Sequence, residues 1–479
     1  MAKNIMIQGT MSNVGKSLLA AGLCRIFRQD GYKVAPFKSQ NMALNSFITK
    51  DGSEMGRAQV VQAEAAGIEP DVRMNPILLK PTTDVGSQVI VLGQVMGNMK
   101  AVEYYKHKKE LVPYVMKAYN ELAAENDIIV IEGAGSPAEI NLKDEDIVNM
   151  GFARMVNAPV LLAGGTVELL EPEEKKLIKG TIVNKFRGDK AILEPGLRQL
   201  EELCGVPVAG VIPYLHLDID DEDSLTERFD NRTERRLIDI AVIRIPKISN
   251  FTDFAAFDGY ENLSVRYVDR VADLGDPDMI IIPGTKSTIA DLKWLRESGM
   301  EAKILQAADH GKLIFGICGG YQMLGRSVAD PEMTEAETPE TIKGMGLLPI
   351  ETVFVGEKRQ TQTSGILPEI PGELSELSGM GFEGYEIHMG RSGNDLPQIV
   401  SMSDSEDCNV YGSYIHGIFD APGIADTVVR VLCKKKGVDP AELGTFDRMA
   451  YKDQQYDLLA KHMRENMDMD LVYRIINEQ

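Results

Sequence analysis

Short apolar runs alternate with stretches of helical period along the first part of the chain. The first run, Asn4–Gln8, leads into a glycine-rich turn, an apolar-periodic segment from Lys16 to Gln29, and a second run at Lys33–Phe37. Further runs stand at Gln88–Leu92, Asp127–Ile131, Pro159–Leu162, Gly180–Asn184 and Pro207–Ile212, most with helical patterns between them. Strands covered on both faces are apolar throughout, and parallel neighbours need helical crossovers, so these runs predict a parallel sheet of the α/β class. Over residues 213–237 the pattern lapses into Asp218-Ile-Asp220-Asp-Glu-Asp223 and a polar, Arg-containing run. A second α/β set follows at Ile238–Ile245, Met279–Ile282, a helix near Thr288–Glu297, Leu313–Ile317 and an apolar segment at Tyr411–Phe419. The expected division is therefore a domain over 1–212, a connection over 213–237, and a second domain over 238–479 that ends in a helical extension.

Length agrees, since 479 residues exceed what one core usually organises. With 44% apolar and 26% charged residues the composition is that of an ordinary globular protein. No run is long enough to span a membrane, and Ile5-Met6-Ile7 lacks the charged flank, apolar core and cleavage site of an export signal. Five scattered cysteines (24, 204, 318, 408, 433), with no Cys-x-x-Cys pair, point away from disulfides and structural zinc and toward the cytoplasm. A formal net charge of −21 repels polyanions, which argues against a nucleic-acid partner. An acidic small substrate stays open, because a basic cleft fits inside an acidic protein.

Candidate chemistry begins at Gly9-Thr10-Met-Ser12-Asn13-Val14-Gly15-Lys16-Ser17, between a strand and a helix. Such a loop wraps polyphosphate with backbone N–H groups, sends Lys16 to the β/γ-phosphates and offers the Ser17 hydroxyl to Mg²⁺, although five residues rather than the common four separate Gly9 from Gly15. ATP or GTP is the implied ligand; the plain alternative is a glycine-rich turn. A Mg²⁺-nucleotide site needs acids at strand ends, and the Asp127–Ile131 run delivers Glu132 there. Asn184, ending another run, is a candidate for contact with the base or a simple turn asparagine.

The second half carries different chemistry. Leu313-Ile-Phe-Gly316-Ile317-Cys318-Gly319-Gly320-Tyr321-Gln322 is an apolar run entering a glycine-flanked turn with a cysteine at its apex. That arrangement exposes a nucleophile above a sheet, next to N–H groups that favour thiolate and oxyanion. His416 is the chosen general base, with His388 in Gly384-Tyr385-Glu386-Ile387-His388-Met389-Gly390 as its rival. Gly284, after Met279–Ile282, offers a second oxyanion N–H or a turn glycine.

These motifs, with Glu132-Gly-Ala-Gly-Ser-Pro-Ala-Glu-Ile-Asn-Leu142, Lys38-Ser-Gln-Asn-Met-Ala-Leu-Asn45, Met74-Asn-Pro-Ile-Leu-Leu-Lys-Pro81 and Asn184-Lys-Phe-Arg-Gly-Asp189, resemble the cobyric acid synthase family of cobalamin biosynthesis over nearly the whole chain. The resemblance implies a dethiobiotin-synthetase-like P-loop synthetase joined to a class I glutamine amidotransferase. It also implies amidation of the b, d, e and g carboxylates of a corrinoid, adenosylcobyrinic acid a,c-diamide, with ATP, Mg²⁺ and glutamine. By motif it makes Cys318 the nucleophile, His416 its base, Gly284 and Gly319 the oxyanion donors, and residues 9–17 the phosphate cradle. It makes Glu132 a metal ligand, Glu54 in Ser53-Glu54-Met-Gly-Arg-Ala-Gln59 a second acidic ligand, and Asn184 a contact for adenine.

Two departures stand out. Class I amidotransferases place a glutamate two residues after the histidine, where this chain has Ile418, so the third member of the triad is open. The family's Asp-x-Asp-Arg-Gly-Gly segment, expected after Gly164, is missing, which leaves only residues 165–179, interrupted by Pro172, for a crossover that usually takes a dozen or more with a helix. Either the loop is shortened or a segment is absent from the chain. Competing readings are a cobyrinic acid a,c-diamide synthase, against which the Lys38–Asn45 segment argues, and a partition-type P-loop ATPase with a non-catalytic C-terminal module, which leaves Cys318 unexplained.

Overall fold

The computed structural model describes residues 2–81, 86–137, 146–164, 170–220, 229, 235–336, 338–393 and 396–478. They pack as two compact units, one of Met1–Ala43, Glu54–Glu222 and Met449–Gln479, the other of Leu44–Ser53 and Asp223–Arg448.

The first unit is built on six strands, β1 (Lys3–Gly9), β2 (Val34–Phe37), β3 (Ile128–Glu132), β4 (Val160–Ala163), β5 (Ile178–Phe186) and β6 (Val208–Pro213). Their order is β6-β5-β4-β1-β3-β2 and every pairing is parallel. Ile5, Ile7, Ile128, Val130, Leu161 and Ala163 are fully or almost fully buried, as the unbroken apolar runs require. The order places β1 and β3 side by side, so that Gly9 and Glu132 end neighbouring strands at the same edge of the sheet. Between the parallel neighbours β4 and β5 the described part of the connection holds one helical turn, Pro172–Lys175. Residues 165–169, where the family segment was expected, lie outside the described residues.

One run departs from the parallel sheet. The expected strand Gln88–Leu92 is Gly86–Val91, antiparallel to both Ile77–Pro81 and Gln94–Lys100 in a separate four-stranded sheet. Its partner follows at once because Leu92 and Gly93 take φ of 46° and 78°, the left-handed pair that closes a two-residue hairpin.

The expected boundaries also shift. Residues beyond Met449 belong to the first unit: in the helix Arg448–Asn466, Tyr456, Leu459, Ala460 and Met463 fall at i, i+3, i+4 and i+7 and join the core beside Leu19, Leu23 and Phe27. Leu44–Ser53, inside the expected first domain, packs with the second unit.

The second unit has β7 (Ile238–Ile243), β8 (Leu263–Val268), β9 (Met279–Ile282), β10 (Leu313–Ile317), β11 (Glu351–Ile366), β12 (Gly381–Arg391) and β13 (Val410–Ser413). A sheet ordered β8-β7-β9-β10-β13 is parallel and bordered by an antiparallel edge at Val400–Ser401. Strands β11 and β12 form a long antiparallel pair in a second sheet. Among the described residues no helix is long and apolar enough to cross a membrane.

Candidate functional sites

The glycine-rich loop leaves β1 at the middle of its sheet. Thr10 N–H is held by Ala163 O at 3.1 Å, Ser12–Val14 make a short turn, and Gly15 at φ 91° launches the helix Lys16–Gln29. Two glycines are required here. A Cβ on Gly9 would meet Val14 Cγ1 at 2.3 Å, and one on Gly15 would meet Asn184 Nδ2 at 2.4 Å in a left-handed conformation that side chains resist. Lys16 folds back over the loop and donates to the carbonyls of Met11 (3.0 Å), Ser12 (3.4 Å) and Gly135 (3.2 Å), so its ammonium sits where the loop opens.

Glu132 lies fully buried beneath this loop. It accepts from Ser17 Oγ at 2.9 Å, from Lys38 Nζ at 2.8 Å and from Gln62 and Gln59 side chains. A buried carboxylate needs a partner charge, and Lys38, 4% exposed at its side chain, supplies it. The hydroxyl and carboxylate expected to share a Mg²⁺ are therefore already adjacent, which fits the ion. Among the described residues no three His, Cys, Asp or Glu side chains converge as a metal cluster. Glu54, expected as a second acid, forms a buried pair with Lys80 at 2.8 Å, so its charge is matched by an ammonium. Asn184, expected at the base, donates to Val14 O at 2.8 Å and thereby braces the phosphate loop from β5.

In the second unit β10 ends at Ile317, and Cys318 then takes φ 50° and ψ −107° before the helix Gly319–Leu324. A non-glycine residue there is strained, as at a nucleophile elbow, and the neighbours must be small. A Cβ on Gly320 would meet Ile282 O at 2.0 Å, and one on Gly316 would meet Tyr321 N at 2.7 Å. Cys318 N–H is fixed on Ser413 O at 2.8 Å, and its Sγ reaches Ile387 O at 3.6 Å. Gly319 follows at the helix start, and Gly284 stands so close to the histidine that a Cβ on it would come within 3.0 Å of His416 Cε1. Burial pushes up the Cys24 and Cys433 thiols, Cys24 in the core of the first unit and Cys433 in that of the second.

His416 is buried, with Cys318 beside it on one side. On the other, its Nδ1 meets Asp253 Oδ2 at 2.7 Å, while Asp253 Oδ1 accepts Gly417 N–H at 3.0 Å. Burial disfavours the imidazolium, but the charges of Asp253 and Cys318 more than offset it and raise the His416 pKa to about 10. The rival, His388, has both ring nitrogens occupied, Nδ1 by Gly390 O at 2.7 Å and Nε2 by Glu386 at 3.0 Å, with its ring stacked on Tyr414 at 3.7 Å. Geometry thus joins Cys318 to His416, not to His388.

Asp253 was missed in the sequence because nothing marks it: it is one acid among many, 163 residues from His416, on the turn Phe251–Phe257. Position 418, where a glutamate was sought, is a buried isoleucine. Lys38 was legible only as part of a motif, without its contact to Glu132.

Together, a phosphate loop on a parallel sheet and a cysteine–histidine elbow on a second one define an ATP-dependent glutamine amidotransferase of two units. Residues 5–224 match the CobQ/CobB/MinD/ParA nucleotide binding domain and residues 239–424 the CobB/CobQ-like glutamine amidotransferase domain. Proteins named cobyric acid synthase are similar over the whole chain: that of Lachnoclostridium phytofermentans is 57% identical, with 100% of both chains covered. That of Ruminiclostridium cellulolyticum is 56% identical over 100% of this chain and 98% of its own, and that of Streptococcus sanguinis 50% over 100% of both. The chain belongs to the cobyric acid synthase family. The first alignment runs over 514 positions against 479 residues, so that relative carries stretches with no counterpart here.

Proposed function

We propose that the chain converts the b, d, e and g carboxylates of adenosylcobyrinic acid a,c-diamide to amides, giving cobyric acid, with ATP as activator and glutamine as the nitrogen source. The Cys318–His416–Asp253 line carries the glutamine half of this reading. Cys318 attacks the side-chain amide carbon of glutamine with its proton held on His416, whose raised pKa favours the imidazolium; His416 passes that proton to the departing ammonia, and a glutamyl thioester remains. His416 then draws a proton from water, whose attack frees glutamate and the thiol. Gly284 and Gly319 N–H groups are assigned to the oxyanion. Asp253 holds the imidazole by Nδ1 so that Nε2 faces sulfur, a positioning role.

In the first unit a substrate carboxylate attacks the γ-phosphate of ATP, giving an acyl phosphate and ADP; ammonia then displaces phosphate and leaves the amide. Residues 9–17 cradle the phosphates and Lys16 balances charge on the transferred group. Ser17 and Glu132 are the groups that would hold Mg²⁺, which neutralises phosphate charge when bound. Lys38, whose ammonium stands 2.8 Å from Glu132, is assigned to balancing negative charge at this end of the loop. Glu54, paired with Lys80 at 2.8 Å as Glu132 is with Lys38, is the second acid assigned to the ion's side, and Asn184 is assigned to the loop as well as the adenine side.

Separate incubations of ATP and glutamine with the a,c-diamide and with the unamidated acid, each followed by mass spectrometry, test the reading. Four successive replacements of acid by amide are expected. Activity confined to the a and c positions of the unamidated acid would instead assign the a,c-diamide synthase reaction.

A further inference from the structure

Two residues of β12 meet the reacting side chains of the second unit. Ile387 presents its carbonyl to Cys318 Sγ, and Tyr385 lays its ring against the His416 imidazole with centroids 5.3 Å apart and planes 22° apart. The same two residues are tied through the main chain, Tyr385 N–H to His416 O at 3.1 Å and His416 N–H to Tyr385 O at 2.8 Å. The placement of Tyr385 therefore sets the placement of the base.

Tyr385 is itself fixed by a ring of three hydrogen bonds. Its hydroxyl donates to Ser46 O at 3.0 Å and accepts from Asn250 Nδ2 at 3.2 Å, while Asn250 Oδ1 accepts Ser46 N–H at 3.2 Å. All three residues are buried. Asn250, at φ 52°, immediately precedes the turn that bears Asp253, and its carbonyl accepts Asp253 N–H at 3.1 Å. Phe47 packs edge-on against Tyr385 at 5.3 Å, and Ile48 closes an apolar cluster with Tyr385 and Ile387. One short stretch thus braces the tyrosine that faces the base, the strand that faces the nucleophile and the turn that carries the orienting acid.

We propose that Leu44–Ser53, with Asn250 and Tyr385, is a positioning device for His416. On this account glutamine cleavage depends on a segment far upstream of the rest of its unit in sequence. The inference rests on the glutamine-hydrolysing reading above. Hydrogen bonds in such a ring are directional and buried, so losing one lets the imidazole leave the line between Cys318 and Asp253 without opening the substrate site.

Two variants of the full chain separate positioning from folding. Tyr385→Phe removes only the hydroxyl, and Asn250→Gly removes the carboxamide while keeping the left-handed backbone. Each is expected to lower kcat for glutamine hydrolysis about tenfold, the size of one lost buried hydrogen bond, with KM for glutamine within about twofold. Ammonia-dependent amidation should stay at the parental rate. The double variant should lose little more than the worse single one, because both act through one ring. Cys318→Ser, run alongside, must abolish glutamine use; if it does not, the underlying reading fails. If it does, and both ring variants keep the parental kcat, the positioning proposal alone is overturned. Equal loss of the ammonia reaction in both ring variants would also overturn it, by making the ring a folding element.

Discussion

On the proposed reading Asp253 takes the place of the glutamate that class I amidotransferases carry two residues beyond the histidine, and it reaches His416 across 163 residues of sequence. The pairing sets a pH dependence. The folded His416 pKa, about 10, lies above the ordinary imidazole value of about 6.5, so its contribution to stability is fully present below about 6.5 and is lost as pH rises through about 10. Asp253→Asn removes the charge while keeping the size. Its glutaminase kcat should fall on the order of a hundredfold, as expected when an imidazole loses its orienting carboxylate. Its stability deficit, read by chemical denaturation, should be larger at pH 6 than at pH 10. An unchanged glutaminase rate, or a deficit that grows toward alkaline pH, would contradict the assignment. Cys318, Lys16 and Glu132 could be singled out in the sequence because each sits in a local pattern, and the elbow and the loop form at those patterns. Asp253 and the Lys38–Glu132 contact could not, because a long-range contact between ordinary residue types leaves no local signature.

At the scale of elements, the apolar runs named most of the strands correctly, since a buried parallel strand has little freedom in composition. They failed at Gln88–Leu92, where an apolar run looks the same in a parallel sheet or a hairpin and only the left-handed Leu92-Gly93 pair decides. The phosphate loop gives the sharpest test of an element. Gly15 needs its φ of 91° and has Asn184 Nδ2 where a Cβ would stand. Gly15→Ala should therefore weaken ATP binding at least tenfold, measured by calorimetry, and abolish amidation with either nitrogen source. Parental ATP affinity in that variant would remove the loop from the nucleotide site.

For the molecule as a whole, sequence order and packing disagree at both ends of the boundary. The C-terminal residues belong to the first unit because the apolar stripe Tyr456, Leu459, Ala460, Met463 has its complement there, with Arg25 pairing Asp453 and Asp457 at 2.8 Å beside it. A chain stopped after Arg448 should lose the amidation reaction with ammonia and show a lowered melting transition, because that core would be opened to water. An unaltered melt would contradict the packing. The central claim, that thiol chemistry and ATP chemistry are separate and each complete in its own unit, is tested most directly by the paired rates of Cys318→Ser with glutamine and with ammonium salt at a pH of about 8 to 9. A hydroxyl ionises far less readily than a thiol whose ordinary pKa is about 8.5, so glutamine-dependent amidation should fall by orders of magnitude. Ammonia-dependent, ATP-driven amidation should proceed at the parental rate. Normal use of glutamine by that variant, or equal loss of both reactions, would contradict the account.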